Sequence, residues 1–135
     1  MIIAVDFDGT IVDHRYPRIG KEKPFAITTL KRLQQEGHYL ILWTVREGDL
    51  LDEAVEYCRS KGLEFHAVNS NIGEDSTSHK HRKISADLFI DDRNLGGLPD
   101  WGEIYRMITE RLTWENLSDN SRTEKKSILQ KIFSR

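Results

Sequence analysis

The stretch Ile2-Ile3-Ala4-Val5-Asp6-Phe7-Asp8-Gly9-Thr10 decides how this chain is read. An unbroken apolar run passes straight into an acidic turn, the pattern of a strand buried on both faces of a parallel sheet that delivers polar groups at its carboxyl end. Downstream, Pro24 can occupy the first turn of a helix whose Ala26, Ile27, Leu30 and Leu33 share one face and which Gly37 stops. Tyr39 to Trp43 then reads as a second buried strand, Asp49 to Lys61 as an amphipathic helix closed by Gly62, and Phe65 to Val68 as a third strand. After a polar stretch, Leu88 to Ile90 makes a fourth strand, and Trp101 to Leu112 a helix with Ile104, Tyr105, Ile108 and Leu112 on one stripe. Strands alternating with helices predict an α/β fold with a doubly wound, mainly parallel, Rossmann-like sheet.

Composition sets the outer limits. A chain of 135 residues with 38% hydrophobic and 31% charged residues has the size and balance of one folded domain. The formal charge of -2 supplies no general electrostatic reason to bind nucleic acid or an anionic membrane. Cys58 is the single cysteine, which excludes an intrachain disulfide, and its helical face, shared with Leu50, Leu51, Ala54 and Val55, predicts a core position. The apolar start meets Asp6 too early for a signal peptide, and no run approaches the ~18 apolar residues of a membrane span, so a cytoplasmic protein is expected. The body is expected to cover residues 1–112, with 113–135 as an appended helical segment. In that segment Ser121 and Glu124 resemble a capping box ahead of Ile128, Leu129, Ile132 and Phe133. Five basic and three acidic residues give it +2, and it suits packing against the body or against a second copy in a homo-oligomer.

In open α/β sheets the working site lies beyond the carboxyl ends of the strands. There the chain places Asp6 and Asp8, then Thr44, then Asp91 and Asp92, with Lys80 and Lys83 just before the last strand. Carboxylates gathered at one edge repel one another and resist desolvation unless a cation balances them. A hard divalent ion answers that need. Magnesium, which takes oxygen ligands and keeps several waters, is the first choice, and calcium remains open. Zinc is disfavoured because no Cys or His accompanies the acids at usable spacing.

Asp6-Phe7-Asp8-Gly9-Thr10 resembles the first motif of the haloacid dehalogenase superfamily in its phosphatase form. Thr44 after Leu40-Ile41-Leu42-Trp43 is similar to the second motif, Lys83 or Lys80 to the third, and Ile90-Asp91-Asp92-Arg93 to the fourth, in the right order over residues 1–112. The resemblance implies a magnesium-dependent phosphomonoester hydrolase. Asp6 would form an aspartyl-phosphate, and Asp8 would serve as acid and base. The metal would be held by the Asp6 carboxylate, the Asp8 backbone carbonyl and the Asp92 carboxylate, with Asp91 behind them, although the sequence does not decide between Asp91 and Asp92. Thr44 and a lysine would bind the phosphoryl group; Lys83, eight residues before Asp91, is preferred to Lys80, eleven before it. Gly9 and Thr10 would form a tight turn where backbone amides approach phosphate, and Arg46 and Arg93 are candidates either for substrate contact or for pairing with acids.

Neither the segment between Asp6 and Pro24 nor the loop after Val68 is long enough to fold independently, so no cap domain is expected. The substrate is then any phosphorylated small molecule or larger phosphate ester. A non-catalytic phosphate-binding or phospho-acceptor signalling domain is the alternative. Signalling receiver domains, however, carry the acid pair after the first strand and the phosphorylated Asp after the third, the reverse of the order here.

Overall fold

The computed structural model describes residues 1–74 and 83–110. Its elements are β1 (Ile2–Val5), α1 (Ala26–Gln35), β2 (Tyr39–Leu42), α2 (Gly48–Ser60), β3 (Ala67–Val68), β4 (Leu88–Ile90) and α3 (Trp101–Thr109). The strands form one sheet in the order β3-β2-β1-β4, and every pairing is parallel. This is an α/β fold.

Register is what positions the site. Val5 pairs with Leu42 on one side and Ile90 on the other, and Leu42 pairs in turn with Val68. The residues that follow, Asp6, Trp43, Asn69 and Asp91, therefore leave the sheet at one level. Ile3, Val5, Leu40 and Leu42 are fully buried, as the uninterrupted apolar runs require of strands covered on both faces.

Two boundaries differ from expectation for identifiable reasons. Pro24 stays outside α1, because the Lys23 N–H donates to the Ile11 carbonyl at 2.8 Å and Phe25 turns left-handed at φ 66° before Ala26 starts the helix. The third strand shrinks to two residues because the His66 ring accepts the Leu40 N–H at 3.1 Å, where a longer strand would offer a carbonyl. On α2, Ala54 and Cys58 are buried as expected, and burial pushes the Cys58 thiol up to about 12. Leu50, Leu51 and Val55, on the same face, are only half-buried.

Between β1 and α1 the chain doubles back on itself. Val12 bridges Glu22 in antiparallel fashion, and the Asp13 N–H donates to the Lys21 carbonyl at 2.7 Å. Gly20 is required there, since a Cβ on it would stand 2.0 Å from the Asp13 carbonyl oxygen.

Cα packing separates a compact unit, Met1–Trp101, from a second, Gly102–Arg135, described as far as residue 110. Lys80, Leu112 and the helix expected after Ser121 lie outside the described residues, as does the expected domain break at 112/113. No helix among the described residues is long and apolar enough to cross a membrane.

Candidate functional site

Asp6 follows β1 and Asp91 and Asp92 follow β4, its neighbour in the sheet, so the strand order alone brings these acids together. One carboxylate oxygen from each of the three lies within 4.8 Å of the others. Burial, followed by the negative charges of Asp91 and Asp92, pushes the Asp6 carboxyl up to about 7, even though a backbone N–H bond from Phe7 acts the other way. Such a group resists ionising unless positive charge arrives beside it.

Asp92 is held from two sides. Its backbone N–H donates to the Thr10 hydroxyl oxygen at 3.1 Å, and that hydroxyl donates back to Asp92 Oδ1 at 3.3 Å. The Thr10 carbonyl is in turn fixed by the Trp101 indole N–H at 3.1 Å. Gly9, at φ +81°, has no side chain because the Asp92 carboxylate occupies the space: a Cβ would lie 2.3 Å from Oδ2. The turn glycine thus admits a carboxylate from β4, a role that the Asp-Gly pair does not announce. Asp91 Oδ1 accepts the Arg93 N–H at 2.9 Å in a local turn.

Asp8 meets Arg46 in a buried fork. Nε donates to Asp8 Oδ2 at 2.7 Å and Nη2 to Oδ1 at 2.8 Å, and the arginine has no exposed surface. Nη1 also donates to the carbonyls of Pro17 and Leu50, and Nη2 to that of Arg18, so all five guanidinium N–H groups are used. The guanidinium carbon lies 5.2 Å from the ring centres of both Phe7 and Tyr16. Of the two roles open to Arg46 in the sequence, pairing with an acid is the one the geometry displays. In doing so it ties the β1 turn, the segment at residues 16–18 and the start of α2 into one knot.

Thr44 follows β2, where Asn69, at φ 50° after β3, accepts its backbone N–H at 2.8 Å. The Thr44 hydroxyl oxygen accepts the Arg46 N–H at 3.2 Å. A cleft of about 970 Å³ opens over these loops, and Asp6, Asp8, Thr44, Asp91, Arg46 and Arg93 all line it. Lys83 does not line this cleft; its ammonium lies 5.2 Å over the Phe89 ring.

Sequence reasoning placed Thr10 with Gly9 in a phosphate-approaching turn but gave its hydroxyl no role, gave none to Asn69, and did not fix that of Arg46. Thr10 and Asn69 are small polar residues in turns, whose partners lie 82 and 25 residues away in sequence. Only the strand order makes them neighbours.

The chain is thus an α/β protein with an all-parallel sheet and an acidic site at its carboxyl edge. It is 65% identical to a conserved protein of Bacteroides thetaiotaomicron of known structure, over 87% of this chain and 96% of that one, with a TM-score of 0.79. It belongs to the family of that protein. No family model matches it, and no curated protein does.

Proposed function

We propose that this protein is a magnesium-dependent phosphomonoester hydrolase of the haloacid dehalogenase type, with Asp6 as the nucleophile. The carrying observation is the convergence of Asp6, Asp91 and Asp92 within 4.8 Å at the edge where Asp8 and Thr44 also arrive. The strand order supports a doubly wound topology, because the chain moves outward from β1 to β3 and returns to place β4 on the other side of β1. The crevice beyond such a reversal is where ligands bind in these sheets.

The donor set fits a hard divalent cation: it is all oxygen, and the raised Asp6 carboxyl calls for positive charge. The carboxylates of Asp6 and Asp92 and the Asp8 carbonyl would hold Mg²⁺, with Asp91 placed to share or support it. When bound, the ion neutralises charge on Asp6 and on phosphate oxygens. Asp6 attacks phosphorus in line, the ester P–O bond breaks, and the leaving oxygen takes a proton from Asp8. Water then attacks the aspartyl-phosphate while Asp8 takes its proton, and phosphate departs. Arg46 orients Asp8 for both steps; each Asp8 oxygen accepts one of its N–H groups and keeps a further lone pair. Thr44 would donate to a phosphoryl oxygen, and Lys83, or Lys80, which lies outside the described residues, would supply further positive charge.

Replacing Asp6 with Asn tests this directly, since the amide is nearly isosteric and cannot attack phosphorus. With Mg²⁺ and an aryl phosphate, turnover should fall to background while circular dichroism shows the fold intact. Hydrolysis at the wild-type rate would remove Asp6 from the reaction.

A further inference from the structure

We propose that the cleft beside the acids is a leaving-group subsite for a bulky, uncharged group with an apolar face. On the phosphatase reading, on which this rests, the substrate is then a phosphate monoester carrying no second anionic group near the first. Size is the first argument. A phosphoryl group fills a small part of a cleft of about 970 Å³, which lies at the upper end of the range for small-molecule sites.

The wall is the second argument. Trp43, Val45, Leu51 and Val55 line the cleft, and Val45 is 86% exposed. Leu51 and Val55 share a helical face with fully buried Ala54 and Cys58, yet stay half-buried because they border the cleft rather than the core. An apolar surface left wet beside a reactive centre gains by being covered when a ligand enters.

Charge completes the assignment. Glu47 and Asp52 line the same cleft and are exposed, whereas the guanidinium of Arg46 is spent on Asp8 and backbone carbonyls. The other basic side chains of the lining, His14 and Arg93, are outnumbered by its acids, and Arg93 follows directly on the Asp91-Asp92 pair. Beside Glu47 and Asp52 a carboxylate or second phosphate on the leaving group is repelled, whereas a neutral aromatic or aliphatic group covers the apolar wall without that cost.

Phosphonates, which cannot be hydrolysed, separate this proposal from the reaction. With the full chain and Mg²⁺, calorimetry should show benzylphosphonate binding about ten-fold or more tighter than methylphosphonate, and 2-carboxyethylphosphonate no tighter than methylphosphonate. The exposed change Val45→Asp should shrink the benzyl-to-methyl ratio, and Glu47→Lys with Asp52→Lys should raise the affinity for the carboxyethyl compound. Equal binding of all three, a preference for the carboxylate, or no binding of any overturns the subsite. Benzylphosphonate bound with the expected preference while benzyl phosphate stays intact would overturn the phosphatase reading and leave the subsite standing. Esters hydrolysed without regard to the leaving group would do the reverse.

Discussion

The floor and the wall of the cleft are built on opposite terms. On the floor, Asp8 is forked by Arg46, Asp92 is gripped by Thr10, and Gly9 yields its side-chain space to the Asp92 carboxylate. On the wall, Val45 stands exposed and Leu51 and Val55 are half-buried, in ordinary surface contact with the cleft. A floor braced in this way is organised before any ligand arrives, so damage to it costs stability and chemistry together. Damage to the wall should change only what binds. Preorganised groups act on charge as it develops without first having to reorient, whereas a wall needs only shape and apolarity.

The sharpest way to break this contrast is Arg46→Met. Asp8 would be left as a buried carboxylate without its fork, and removing one partner of such a pair typically costs about 3–5 kcal/mol. Urea unfolding should show a loss of that order, partly recovered when Asp8→Leu is added, since the second change removes the stranded charge. A double variant that loses the sum of the two single costs would show that the pair is not coupled. Wall substitutions at Val45, by comparison, should stay within about 0.5 kcal/mol of wild type.

Next in size is Gly9→Ala. A left-handed backbone costs an L-residue roughly 1–2 kcal/mol, and the new methyl would stand 2.3 Å from Asp92 Oδ2 unless that carboxylate moves. Stability should fall by about 1–3 kcal/mol, and on the proposed metal site, with Asp92 as a ligand, magnesium titration should show weaker binding. Unchanged metal affinity would mean that Asp92 is not a ligand, and would turn attention to Asp91.

How far the floor could be read in advance follows from the same physics. Asp6, Asp8, Thr44, Asp91 and Asp92 stand directly after apolar runs, and a buried parallel strand followed by a polar turn is a local pattern that propensity and periodicity expose. Their bracing is not local. Thr10 finds Asp92 across 82 residues, and Arg46 finds Asp8 across 38. The choice of Arg46 for Asp8 depends on the level at which β1 and β2 end, which only register supplies. The half-burial of Leu51 and Val55 was hidden for a related reason: helical periodicity marks an apolar face without saying that part of it borders a cleft. Lys83 had the residue type and spacing of a motif lysine, yet its ammonium rests over Phe89, because spacing along a loop does not fix where a flexible side chain goes.

A change of pH would sharpen the account of Asp6. Its carboxyl lies at about 7 in the folded protein against 3.8 for the ordinary group, so between those values the native state holds a proton that the unfolded state has lost. Stability should therefore be highest below about pH 4 on this account and should decline as pH rises through 7, as burial and the charges of Asp91 and Asp92 come to oppose an ionised Asp6. Other carboxylates with their own partners superimpose their own trends, so the informative quantity is a difference. Urea midpoints measured without metal at pH 5 and pH 8 should drop further for wild type than for Asp6→Asn, which has no proton to lose at that position. Magnesium at pH 8 should restore the wild-type midpoint more than that of the variant, because a cation among Asp6, Asp91 and Asp92 offsets the charge whose burial is unfavourable. Equal pH dependence in the two proteins would mean that Asp6 ionises freely in the fold, and the electrostatic case for a metal at this site would lose its basis.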